Sequence, residues 1–77
     1  MCRFEIYRNS VENSSVILDV KRRDDINRRV YEHLMSGLYD NYINEETAID
    51  IASWCELATI GEDYVIDDVT IIVKEET

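Results

Sequence analysis

The apolar residues of this chain change period twice, and that change limits its fold more than any other feature. They alternate one in two near the start, recur every three to four residues in the middle, and alternate again near the end. A period of two belongs to a strand with one buried face, and a period of 3.6 to a helix. Such a chain has sheet at both ends and helices between. Its last strand must return across the helices to pair with the first, which specifies a two-layer arrangement.

Residues 3–8 set Phe4 and Ile6 on one face, with Arg3, Glu5 and Tyr7 on the other. Residues 9–14 are polar types that hydrogen-bond their own backbone in turns. Val16, Leu18 and Val20 then alternate with Ile17, Asp19 and Lys21, the pattern of a hairpin partner; residues 16–23 also fit the first turns of the helix that follows. At Asp24 the period lengthens. Ile26, Val30, Leu34, Leu38 and Tyr42 form a stripe with His33 and Gly37 beside it, predicting a helix over about residues 25–39. Asp24 is its expected cap and Asp25 favours its macrodipole. Gly37 costs about 1 kcal/mol relative to alanine inside a helix, so it marks a close crossing or an early end.

After a short joint at 40–44, residues 45–61 carry the clearest helical pattern. Asn44 is the expected N-cap, Glu45 and Glu46 occupy the first turn, and Gly61 is the expected left-handed C-cap. Ala48, Ile51, Ala52, Trp54, Cys55 and Ala58 share one arc, the predicted core side. Glu46, Asp50, Ser53 and Glu56 lie opposite, interleaved with Ile49, Leu57 and Ile60, so that side predicts a second contact. In the last segment Val69, Ile71 and Val73 alternate with Thr70, Ile72 and Lys74, and Asp67 and Asp68 interrupt the apolar run just before, as a strand start or a bulge would. The expectation is one α+β domain over residues 1–77. It is a two-layer sandwich with a three-stranded antiparallel sheet and two helices, in the order ββααβ.

Charge is distributed as unevenly as period. Residues 1–39 hold six acids and seven bases, a net +1, whereas residues 40–77 hold eleven acids against Lys74 alone, a net -10. A field of that sign repels nucleic acid and anionic membrane and steers the chain toward basic surfaces. At 45% hydrophobic residues the chain can still build a core, so disorder is not expected. No apolar run reaches the roughly 18 residues of a membrane span, and the N-terminus has no signal-peptide block, which reads as cytoplasmic. Cys2 and Cys55 do not form a disulfide framework and are expected to be reduced.

Few residues suggest chemistry. His33 and Cys55 are the only pair resembling a base and a nucleophile, but Cys55 falls on the apolar arc and no third orienting group is recognisable. One His and two distant Cys do not make a zinc site, and the acidic pairs Asp24–Asp25, Glu62–Asp63 and Asp67–Asp68 lack the loop of a calcium site. No enzyme activity, cofactor or metal is expected. The basic run at Lys21, Arg22, Arg23, Arg28 and Arg29 resembles a phosphate-binding helix start, yet Asp24 and Asp25 lie inside it, and a solvated or intramolecularly paired face is preferred.

The acidic half supports a sharper expectation. Carboxylates on one helix face lie about 5–6 Å apart, and those two apart on a strand about 6.5–7 Å, close to the spacing of successive phosphates on a nucleic-acid strand. Glu46, Asp50, Glu56 and Leu57 on the helix, with Glu62, Asp63, Asp67 and Asp68 beyond it, are the candidate partner-binding residues. The segment from Ala48 to Tyr64, with the strand after it, resembles a motif of the form WCELAxxGExY in small acidic proteins of Gram-positive gut bacteria and their phages. Trp54, Cys55, Glu56, Leu57, Ala58, Gly61, Glu62 and Tyr64 carry it. The resemblance covers about the last third of the chain and implies a mobile-element origin. By analogy of class it points to anti-CRISPR inhibitors that occupy the nucleic-acid groove of an effector nuclease. The expected partner is thus a basic protein surface, not nucleic acid itself. The alternative is a structural or regulatory adaptor, homodimeric in one version, with an apolar contact through Ile49, Leu57 and Ile60.

Overall fold

The computed structural model describes residues 1–37, 39 and 43–75. Strand β1, Cys2–Arg8, pairs antiparallel with β2, Val16–Val20. A single 3-10 turn at Arg23–Asp25 leads into α1, Ile26–Leu34, and α2 follows at Glu45–Leu57. Strands β3, Asp63–Ile66, and β4, Val69–Glu75, close the chain. The α+β class and the two helices are as expected. The three-stranded sheet and the order ββααβ are not: the sheet has four strands, all antiparallel, in the order β2-β1-β4-β3, and the chain runs ββααββ.

The extra strand comes from a hairpin that carries no glycine signal. Asp67 and Asp68, expected to be a bulge or a strand start, form a two-residue turn, because Ile66 pairs directly with Val69. Asp67 adopts a φ of 51°, in the left-handed region that Asp tolerates better than most residues. Hairpin turns of this length usually show Asn-Gly or Asp-Gly, and Asp-Asp hides the turn from a reading of residue types. The irregularity in the sheet lies elsewhere, in a register shift between Arg3 and Phe4 where β1 meets β4.

The helix ends also differ from expectation. Asp24 does not cap α1; Asp25 holds the N-cap position without a side-chain bond and instead meets Arg28 at 3.4 Å. α1 stops at Leu34, and Gly37 at φ 100° belongs to the early-end alternative. Leu38 and Tyr42, the last members of the predicted stripe, lie outside the described residues. At α2 the Asn44 carboxamide accepts from the Thr47 amide at 2.8 Å, as the sequence implied. Gly61 has its positive φ of 89°, but it sits beyond the helix: α2 ends at Leu57, and the Gly61 amide donates to the Val73 carbonyl at 2.8 Å, starting the β3–β4 ladder.

The core lies between one face of the sheet and the helices. Phe4, Ile6, Leu18, Val20, Val69, Ile71 and Val73 project from the strands against Ile26, Val30, Leu34, Ala48, Ile51, Ala52 and Cys55. Each fully buried large aliphatic or aromatic side chain contributes about 1.5–3 kcal/mol. The small residues of α2 let the helix approach closely, and Trp54 reaches past them to pack at a tilt of 58° against Tyr64 of β3, with ring centroids 5.3 Å apart. α1 contacts β2. The helices therefore divide the sheet, with α1 toward the β2 edge and α2 toward β3.

Candidate functional site

α2 presents two faces of opposite character. With Ala48, Ile51, Ala52 and Cys55 buried, Glu45, Glu46, Ile49, Asp50, Ser53, Glu56 and Leu57 are all exposed. At about 100° per residue these seven span about 140° of arc. Ile49 and Ser53 form the middle, with Glu45 and Glu56 on one rim and Glu46, Leu57 and Asp50 on the other. The helix contains no base. Leu57 is 83% exposed and Ile49 47%, and Ile60, 58% exposed, continues the apolar content past the helix end. Exposed aliphatic side chains between carboxylates form a face for a partner that is apolar at its centre and basic at its margins.

The other candidate residues fall elsewhere. Glu62 lies in the turn before β3, where its carboxylate accepts from the Thr59 amide and hydroxyl, both at 2.7 Å. Those bonds hold its pKa below the usual glutamate value. Asp63 opens β3, in the cross-strand row with Ile72, Glu5 and Ile17. That row lies on the sheet face turned away from the helices, since residues directly opposite share a face. Asp67 and Asp68 sit at the hairpin end. The Asp68 carboxylate accepts from the Ser10 amide at 2.8 Å and from its hydroxyl, and meets Arg8 at 3.6 Å, fastening the β1–β2 loop to the β3–β4 turn. The eight residues thus form no single array: Glu46, Asp50, Glu56 and Leu57 share the outer face of α2, Asp63 is on the open sheet face, and Glu62 and Asp68 have intramolecular partners.

The face of the sheet opposite the helices gathers charges that lie far apart in the sequence. Arg3 is its central charge, bound to Asp19 at 2.7 Å and Glu75 at 3.6 Å. The hydrogen bond from Arg3 lowers the Asp19 pKa, and the same bond raises that of Arg3. Ile17 and Ile72 lie in the next cross-strand row of this face, and Tyr7 and Val65 in the row beyond it, with Ile17 and Val65 exposed. The alternation of β1 and β4 contains this face in principle, but only the pairing register brings Arg3, Asp19 and Glu75 together.

The basic run is dispersed. Arg28 pairs with Asp25 and Glu32, and Arg23 donates to the Glu56 carbonyl at 3.3 Å, placing a positive charge at the C-terminal end of α2 where the helix dipole favours it. Lys21 and Arg22 are exposed just after β2, and among the described residues no ion pair engages them. The Cys55 thiol is buried and its pKa is pushed up to about 12, so it stays protonated at neutral pH. The ring of His33 bonds the Tyr39 hydroxyl at 3.0 Å, and burial lowers its pKa. Among the described residues no three His, Cys, Asp or Glu side chains are grouped to hold a metal ion. No helix among them is long and apolar enough to cross a membrane.

No protein-family model matches the chain, and neither a curated protein nor a solved structure matches it.

Proposed function

We propose that this protein is a small acidic inhibitor that acts in the cytoplasm by binding a basic nucleic-acid-handling protein, in the manner of anti-CRISPR or DNA-mimic proteins, through the outer face of α2. One observation carries the reading: Glu46, Asp50 and Glu56 are exposed together on a helix with no base, beside a leucine that is 83% exposed. Asp63 and Asp67, on other sides of the molecule, add to the long-range field and not to this contact. The resemblance carried by Trp54 to Tyr64 implies a phage or mobile-element origin. The test is binding to purified RNA-guided nucleases and other basic nucleic-acid-binding effectors, at about 0.05 M and about 0.5 M salt, with and without nucleic acid in the groove. Affinity should fall with salt, fall again in Asp50→Lys/Glu56→Lys, and be lost when nucleic acid already fills the groove. Binding that ignores both salt and the nucleic acid would remove the proposal.

A second reading, a regulatory adaptor, rests on the exposure of Ile49, Leu57 and Ile60. It requires a partner whose contact is mainly apolar. Leu57→Asp would abolish that contact, while the charge reversals would leave it nearly intact. A homodimer through α2 is the weaker version, because it opposes two helices that each carry four acids and no base.

A further inference from the structure

We propose that the chain self-associates through the free edge of β2, two copies pairing antiparallel about a two-fold axis at Leu18 to make one continuous eight-stranded sheet. The inference does not depend on what α2 binds. β2 is an outer strand of the four-stranded sheet, with hydrogen-bonding groups along one side that no strand among the described residues pairs. Three of the usual protections of such an edge, a proline, a bulge and an unpaired charge within the strand, are missing from it. β2 has no proline, its pairing with β1 runs without a register shift, and its one charge, Asp19, is neutralised by Arg3.

Electrostatics selects this edge over the other surfaces. β1, β2 and α1 belong to residues 1–39, of net charge +1, whereas α2, β3 and β4 belong to residues 40–77, of net charge -10. The strand order sets β2 and β3 at opposite edges, so the near-neutral and the acidic parts lie at opposite sides. Two copies meeting at β3 or at α2 bring like charges together; two meeting at β2 keep them as far apart as the sheet allows. The antiparallel sense also runs the exposed Lys21 and Arg22 of each copy toward the partner's β1–β2 loop, where Glu12 is the one charge between residues 9 and 15.

The two-fold axis restricts the register. It must pass through a residue pair that keeps the buried faces together, and centring it on Leu18 overlaps all five residues of the strand. Ile17 then faces Asp19 of the other copy. Centring on Asp19 would oppose two carboxylates. Both helix layers fall on the same side and α1, which contacts β2, flanks the seam. An edge this short makes a small interface, so the dimer is concentration-dependent, not permanent.

Sedimentation velocity from about 10 μM to about 1 mM, with hydrogen exchange at both limits, tests this. The mass should rise from 9.1 kDa toward twice that value and stop, and the amides of Val16–Val20 that face the free edge should gain more protection with concentration than any other strand amides. Lys21→Glu/Arg22→Glu should raise the dimer dissociation constant by about tenfold with an unchanged circular dichroism spectrum. In about 0.5 M salt, Asp50→Lys/Glu56→Lys should leave that constant within about twofold. The proposal is overturned by a monomer at the highest concentration, by open-ended growth, by protection that appears at Asp63–Ile66, or by a larger effect of the α2 changes than of the β2 changes.

Discussion

At the scale of single residues, the half-buried His33 and the buried Tyr39 tie α1 to the segment that follows it, through the bond from ring to hydroxyl. Burial depresses the His33 pKa below 6.5, so the unfolded chain binds more protons than the folded one as pH falls past that value. Stability from His33 is complete above pH 6.5 and is lost as pH falls toward the lower folded pKa. Urea midpoints of the wild type should therefore decline between pH 7 and pH 5.5, and His33→Gln should flatten that part of the curve. The carboxylates Asp19 and Glu62 act further down, because hydrogen bonds lower both pKa values below the ordinary 3.8 and 4.5. Their contribution persists above those values and disappears only in stronger acid. Asn44 was readable as a cap from its place before two glutamates, and Asn44→Ala should cost about 1 kcal/mol in chemical denaturation. The roles of Glu62 and Asp68 were not readable. Each carboxylate looks free in the sequence and finds its donors only when a turn or a distant loop folds against it.

Among the elements, the β3–β4 hairpin shows best how residue types can mislead. The apolar residues Tyr64, Val65 and Ile66 do form a strand, but two aspartates in the turn broke the pattern without announcing a reversal. The left-handed φ of Asp67 is the strained point of that turn. Asp67→Val places a β-branched side chain there and should destabilise by about 1–2 kcal/mol, measurable as a lower urea midpoint with an unchanged slope. α2 behaves differently, because its outer face serves no packing. Leu57→Asp should leave stability within about 0.5 kcal/mol, and a larger loss in thermal denaturation would mean that Leu57 is covered in the folded chain. The contrast between the faces of α2 was legible in full, because Ala, Ile, Ala and Cys on one arc and acids on the other are a matter of helical period alone.

For the whole molecule, accessible surface gives a measure of self-sufficiency. A monomer of this mass is expected to expose about 4,900 Å². The folded chain exposes 4712 Å². It thus closes its own core without a partner, and a variant that prevents association should still fold. Reserves are small, since total stability for this length is about 4–12 kcal/mol. Ile51, wholly buried between helix and sheet, tests that reserve. Ile51→Ala should cost about 2–5 kcal/mol, bringing a large part of the population to unfolding in mild urea.

Period and charge sign are properties of neighbours along the chain, so the sequence alone determined the two helices, the strands β1 and β4, the inward arc of α2 and the concentration of acid in the second half; it left β2 open between a strand and the first turns of α1, which the pairing with β1 decided. Pairing is a property of residues far apart. The fourth strand, the order β2-β1-β4-β3, the union of Arg3 with Asp19 and Glu75, and the scattering of the carboxylates over three surfaces were decided only when the chain closed on itself. The reason is that a carboxylate has the same charge wherever it stands in the sequence, while its partner depends on which turn or strand the fold brings beside it.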